Sequence, residues 1–492
     1  MISKKAFLLA AVLLIGLLIA ACDNPAGAST DTTSAGEVSN LAANAGSSER
    51  YLTWDDPTAS DLEHIKITWA PEDGESQPKI VSAGTETATI SGLHNSTDYI
   101  LTVKSVDSSG NISSGTSITA HGTTVSVQLT KVSAGLSGVR SSSSSFADVD
   151  DDNDLDLIIT GWNGSAMTAT LYTNDGTGSF TDASTGLSGV NYGSSSFGDV
   201  DGDGALDLLI TGVDEDSSPS ARLYTNDGSG SFSVDSAASD DLTGVRDNSS
   251  SSFGDVDGDG DLDLLITGYD GSTETATLYT NDGTGSFSDA SAGLTGTDES
   301  SSSFGDVDGD GDLDLLITGW DGGSKTATLY KNNGSGNFSP ASVGLIGVQA
   351  GSSSFGDVDG DGDLDLVITG VDEDSSTSAR LYTNDGTGSF SDASAGLSGV
   401  EYGSSSNFGD IDSDGDLDLV ITGSNDSNSE TAILYSNDGG GVFSDASAGL
   451  SGVKYSSISF GDVDGDSDLD LLITGEGASE PLTATIYENQ LY

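Results

Sequence analysis

From Val125 onward, short β-branched and aromatic runs alternate with Gly, Asp, Asn and Ser, a pattern that predicts strands throughout. One stretch shows the unit. Ser250 to Phe253 is read as strand A and is followed by an acidic loop. Leu262 to Gly268 is strand B, Thr275 to Tyr279 is strand C, Asn281-Asp282-Gly283 is a turn, and Phe287 opens strand D. A phenylalanine, one further residue and the acidic loop recur with the first aspartate at Asp148, Asp199, Asp255, Asp306, Asp357, Asp410 and Asp462, at spacings of 51, 56, 51, 51, 53 and 52. A period near 50 with four strands per unit predicts a β-propeller rather than a helical array. The seventh unit stops after strand C at Ala484 to Tyr487. Leu129 to Val139, ending Ser133-Ala134-Gly135-Leu136-Ser137-Gly138-Val139, matches the segment that leads out of the sixth unit, so it should supply the missing strand D and close a seven-bladed ring.

Residues 37–124 carry a different rhythm. Leu52-Thr53-Trp54-Asp55-Asp56-Pro57 places a tryptophan in an early strand, and Leu93 stands six residues before Tyr99 in Thr97 to Val103. This segment resembles a fibronectin type III domain, which implies a β-sandwich with Trp54 in its core. Such domains serve more often as spacers than as binders. The fold class expected is therefore all-β: a seven-bladed propeller over 125–492, preceded by this sandwich.

Charge narrows the function. The 492 residues include 79 acidic against 14 basic, for a formal net charge of −65, which excludes nucleic acid as a partner. Hydrophobic residues make up 34 %, and the 67 glycines bring the chain to an ordinary globular composition. The lone cysteine, Cys22, permits no internal disulfide. It follows Lys4, Lys5 and an apolar stretch from Phe7 to Ile19, then Ala20-Ala21. Residues 1–21 resemble a bacterial lipoprotein signal, which implies lipidation of Cys22, a flexible tether over 22–36 and an extracytoplasmic protein, periplasmic or on the cell surface, held to a membrane only by its lipid. Asp23 resembles an inner-membrane retention signal in some bacteria.

The acidic loops hold carboxylates at positions 1, 3, 5 and 9. The first three sets are Asp148, Asp150, Asp152, Asp156; Asp199, Asp201, Asp203, Asp207; and Asp255, Asp257, Asp259, Asp263. The next two are Asp306, Asp308, Asp310, Asp314 and Asp357, Asp359, Asp361, Asp365. The last two are Asp410, Asp412, Asp414, Asp418 and Asp462, Asp464, Asp466, Asp470. Glycine at position 6, such as Gly260, permits a sharp bend, whereas loops one and seven have Asn153 and Ser467 there. Position 7 is Ala205 in loop two, so no side chain is needed at that place. Close carboxylate pairs repel by about 4 kcal/mol at intermediate dielectric, which argues against bare solvated turns. Hard oxygen donors without His or Cys exclude zinc and copper and favour calcium over magnesium. An EF-hand is excluded, because position 12 is apolar (Ile266) and lies within a strand. Phe253-Gly254 followed by Asp-x-Asp-x-Asp-Gly-x-x-Asp resembles the FG-GAP repeats of integrin α-subunits and the related bacterial VCBS repeats. That resemblance implies up to seven calcium ions, with the four aspartates of each loop as ligands. Seven divalent ions would still leave the chain at about −51.

A meandering blade puts the A–B loops and C–D turns on one face and the B–C and D–A connections on the other. The second face varies between units. Trp162, Val213, Tyr269, Trp320, Val371, Ser424 and Glu476 follow strand B, and Arg140, Tyr192, Arg246, Glu299, Gln349, Tyr402 and Tyr455 lie in the D–A connections. Exposed aromatics and arginines there predict a partner surface made of Trp162, Tyr269, Trp320, Arg140, Tyr192, Arg246, Tyr402 and Tyr455. The resemblance implies adhesion or recognition of a protein, and the aromatics suit a glycan. The alternatives are a carbohydrate-active enzyme, either polysaccharide lyase or glycosidase, and a purely structural surface protein. Enzyme chemistry is disfavoured, because His64, His94 and His121 all precede the propeller and the propeller has no cysteine. Asp214, Glu215 and Asp216 remain as a carboxylate group but recur as Asp372, Glu373 and Asp374.

Overall fold

A computed structural model describes residues 32–490 except 47, 48, 72–75, 92, 94–97, 121–126, 184, 185, 438, 479 and 480. The signal segment 1–21, Cys22 and most of the tether lie outside the described residues. The chain forms two compact units. The first is a sandwich. Strands Ser39–Gly46, Glu49–Asp55 and Thr87–Ser91 form one sheet; Lys79–Ser82, Leu62–Ala70, Tyr99–Asp107 and Thr116–Ala120 form the other, in that order. Ile65, Ile67 and Trp69 alternate inward along Leu62–Ala70 and are buried, as are Leu52, Trp54, Ile90 and Leu101. Each fully buried aliphatic contributes about 1.5–3 kcal/mol. Tyr99 is fully buried, with the Arg50 guanidinium 5.5 Å from its ring centre.

The second unit is the seven-bladed propeller. Blade three has strand A at Arg246–Gly254, B at Asp263–Tyr269, C at Glu274–Asn281 and D at Phe287–Asp289, paired antiparallel in that order. Blade seven is closed as the sequence predicts. Its strands A (Val453–Gly461), B (Asp470–Gly477) and C (Thr483–Asn489) are completed by Leu129–Val132, with Asn489 opposite Leu129 and Ile486 opposite Val132. The A strands lie side by side around the axis, blade seven's beside blade one's. Their serine runs link neighbouring blades through hydroxyls. Ser144 meets Ser459 at 2.9 Å across the closure, and Ser250 meets Ser302 at 2.9 Å.

Strand B is covered on both faces, which is why Asp263–Tyr269 is almost continuously buried. Blades pack face to face. Val149, Ile158 and Leu171 of blade one meet Leu208, Ile210 and Tyr224 of blade two. Polar contacts lock the stack. Asn281 Nδ2 donates to Val200 O of the preceding blade at 2.8 Å, and the same bond runs from Asn174 to Val463 across the closure, also at 2.8 Å. Tyr279 Oη accepts the Thr243 N–H at 2.8 Å from the connection entering its blade. The longest spacing, 56, has its cause in a short helix, Ser236–Asp241, capped by Asp235 and seated through buried Ala238. No helix among the described residues is long and apolar enough to cross a membrane.

Candidate metal centres and the opposite face

Each acidic loop is held in shape by its own aspartates. In loop three, Asp255 Oδ1 accepts the Gly258 N–H at 2.8 Å and its Oδ2 accepts the Gly260 N–H at 3.0 Å; Asp259 Oδ1 accepts the Asp261 N–H at 3.0 Å. Positions 4 and 6 both need left-handed backbone: φ is +77° at Gly258 and +96° at Gly260. The position 4 requirement escaped sequence reasoning, although glycine recurs there at Gly202, Gly258, Gly309, Gly360 and Gly465. Loops one and seven keep the geometry with Asn153 at +71° and Ser467 at +77°, each donating its N–H to the position 1 carboxylate.

The position 3 side chains are different. One carboxylate oxygen of each of Asp150, Asp257, Asp308, Asp359 and Asp412 is buried with no hydrogen-bond partner. Burial, then the neighbouring carboxylates, raises the pKa of Asp150 and Asp257. Oxygens of Asp148, Asp150 and Asp156 lie within 4.8 Å of one another. The same holds for Asp199, Asp201 and Asp203; for Asp255, Asp257 and Asp259; for Asp306, Asp308 and Asp314; and for Asp357, Asp359 and Asp361. Orphaned oxygens within an all-carboxylate cluster fit a hard divalent cation.

Position 9 is the floor of the loop. Asp263 accepts the Val256 N–H at 3.1 Å and the Asn281 N–H at 3.0 Å, and burial pushes its carboxyl up to about 6, against those two bonds. Asp156, Asp207, Asp314, Asp365 and Asp470 are raised to about 6 in the same way. Loop six is the most enclosed. Asp412 and Asp414 are both buried and raised, and Asp418 reaches about 8 through burial. Position 7 faces elsewhere: a methyl group on Gly283 would stand 2.5 Å from an Asp261 oxygen, so that carboxylate lies against the C–D turn.

The opposite face departs from expectation. Trp162, Tyr269 and Trp320 are not exposed loop residues. They end strands Asp156–Trp162, Asp263–Tyr269 and Asp314–Trp320 and are half-buried, because the ladder runs to a tight turn such as the one closed by Asp270 N–H to Thr273 O at 3.0 Å. Val213 and Ser424, at the same place, are buried. The D–A residues also divide. Arg140 stands across from Trp162 and pairs with Glu476 at 2.6 Å; Arg246 stands across from Tyr269 and pairs with Asp247 at 2.9 Å. Tyr192, Tyr402 and Tyr455 instead occupy left-handed backbone, with φ of +51°, +58° and +49°. The Tyr402 and Tyr455 rings lie 6.3 Å apart, and Tyr192 and Tyr455 help to line an axial cavity of about 130 Å³ with Asn248, Ser142 and Ser249.

Fold and loops together define a seven-bladed propeller with a ring of acidic, cation-competent loops. The FG-GAP-like repeat model matches residues 148–210, 199–266, 255–317, 306–368, 357–421 and 410–473, each span running from one acidic loop into the next blade's strand B. The chain belongs to the FG-GAP-like repeat family, and residues 36–121 match the fibronectin type III domain. Both kinds of domain are typical of extracellular proteins, and the repeats point to a binding or structural role. No curated protein matches the chain. Among solved structures it is similar to a rhamnogalacturonan lyase of Bacillus licheniformis, at 14 % identity over 91 % of this chain and 75 % of that one, with a TM-score of 0.31. It is also similar to a fungal alcohol oxidase in complex with copper, at 13 % identity over 80 % and 91 %, TM-score 0.37. The third fibronectin III domain of human KIAA0343 protein matches at 17 % identity over 21 % of this chain and 97 % of that domain, TM-score 0.16. With scores this low, these likenesses carry no functional argument.

Proposed function

We propose that the chain is a calcium-stabilised, lipid-anchored extracytoplasmic binding protein, not an enzyme, which recognises a protein or glycan through the face opposite its acidic loops. The observation that carries the calcium reading is the set of buried, unpartnered position 3 oxygens within all-oxygen clusters. Calcium supplies the positive charge that lets those carboxylates stay ionised together. In each loop the aspartates at positions 1, 3, 5 and 9 would hold it. The opposite face is the recognition surface because its side chains change from blade to blade on one rigid frame, around the cavity beside Tyr192 and Tyr455. Its turns carry Asp214-Glu215-Asp216 and Asp372-Glu373-Asp374 on a chain of net charge −65, so a neutral or basic partner fits and an acidic polysaccharide is repelled. Cys22 anchors the molecule to a bacterial membrane.

The test is binding of the full chain to an array of neutral and acidic glycans and surface proteins, with calcium and with chelator. A calcium-dependent hit lost in the Tyr192→Ala, Tyr402→Ala, Tyr455→Ala variant supports the reading. Binding unaffected by that variant, or turnover of an acidic polysaccharide, would overturn it.

A further inference from the structure

The residue just before the stapling asparagine of strand C is short in five blades: Thr173, Thr225, Thr280, Thr383 and Ser436. There Thr280 Oγ1 meets Ser288 Oγ of strand D at 3.1 Å, away from the acidic loop. Two blades break the pattern with long side chains of opposite charge, Lys331 in blade four and Glu488 in blade seven. Lys331 Nζ reaches Asp308 Oδ2 at 2.8 Å, a position 3 carboxylate of loop four. It also donates to Thr387 O at 2.7 Å, in the C–D turn of blade five. Its end fills a slot left by Gly388, where a methyl group would stand 2.8 Å from Nζ. Glu488 enters the equivalent slot at Gly178, where a methyl group would stand 3.5 Å from the Glu488 Oε1 and 3.7 Å from the Cβ of Asp464, the position 3 aspartate of loop seven.

Resting on the calcium reading above, we infer that this position sets the cation affinity of each loop: Lys331 is a built-in cation that weakens calcium binding in loop four relative to the other loops, and Glu488 adds a fifth carboxylate to loop seven. An ammonium at hydrogen-bond distance from a ligand carboxylate neutralises part of the charge a divalent ion needs and then repels that ion. The two bonds and the glycine slot hold it in place. Glu488 acts with the opposite sign, strengthening a loop whose left-handed Ser467 would otherwise weaken it. The seven loops are therefore graded, and they fill in order rather than together.

Calcium titration of the full chain, with binding heat and terbium luminescence as readouts, tests this. Lys331→Thr installs the residue four other blades already use, and it should bind one more ion per chain than the wild type below about 1 mM calcium. Glu488→Thr should weaken one tight site at least tenfold. Lys331→Met separates charge from length, and it should behave as Lys331→Thr. Isotherms of Lys331→Thr and wild type that superimpose, in proteins with matching circular dichroism, would overturn the inference while leaving the calcium reading intact. A wild type that binds no calcium would overturn both.

Discussion

The two faces of the propeller are made from the same seven repeats, yet they behave oppositely. On the acidic-loop face every blade repeats the same bonds: a position 1 carboxylate capping two backbone N–H groups, a buried position 9 carboxylate, and an asparagine reaching into the preceding blade. On the other face equivalent positions hold Trp162, Val213, Tyr269 and Ser424, some half-buried and some fully buried. The first face is constrained from blade to blade because its side chains bond backbone in the neighbouring repeat. The second is also linked between blades, but by a different pair each time, such as Arg140 with Glu476 at 2.6 Å and Lys325 Nζ with Asp372 O at 2.6 Å, so no single residue is required at equivalent positions.

That contrast makes predictions. The largest single-residue effect should come from the uniform face. Asn281→Ala removes the donor to Val200 O and Leu262 O, leaving buried carbonyls unpaired, at a cost of about 1–3 kcal/mol in denaturant unfolding. An unchanged midpoint would show that the staple is dispensable. Next, Ser467→Gly relieves left-handed backbone in loop seven and should stabilise the protein by about 1 kcal/mol, seen as a higher melting temperature. Third, the chelated protein should lose stability as pH rises. Asp263 and its equivalents have folded pKa values near 6 against an ordinary 3.8, so the folded state binds more protons between about pH 4 and 6, and that stabilisation disappears through this window. Asp418, at about 8, extends the decline upward. Melts in chelator from pH 4 to 8 check the sign; a rise across that range would contradict it. The smallest effect belongs to the variable face. Removing the Tyr402 ring, 43 % exposed, should change stability by less than about 1 kcal/mol in denaturant unfolding; a larger loss would show that the ring is part of the packed frame.

Much of this was legible in the chain. The blade count, the strand order and the closure by Leu129–Val132 follow from repeat spacing and from a missing strand D. The acidic loops were readable because the ligand residues are local, within nine positions of one another. What stayed hidden depends on contacts between repeats. Asn281 reads as a turn residue, and only the neighbouring blade reveals it as a staple to Val200. The serine runs read as an ordinary strand, and their hydroxyl links to adjacent A strands need the ring geometry. Trp162 and Tyr269 were misjudged as loop residues because the end of strand B cannot be located without its partners in strands A and C. Lys331 was passed over because its target, Asp308, lies 23 residues away.

The central claim is that the acidic face is held by calcium. It is tested most directly by melting the full chain in 1 mM calcium and in excess chelator at neutral pH. Several loops filled well above their dissociation constants, each adding about 2.7 kcal/mol at a hundredfold excess, predict a melting temperature lowered by more than about 10 °C on chelation and restored by added calcium. Superimposable melts would contradict the account and return the aspartates to the role of solvated turns.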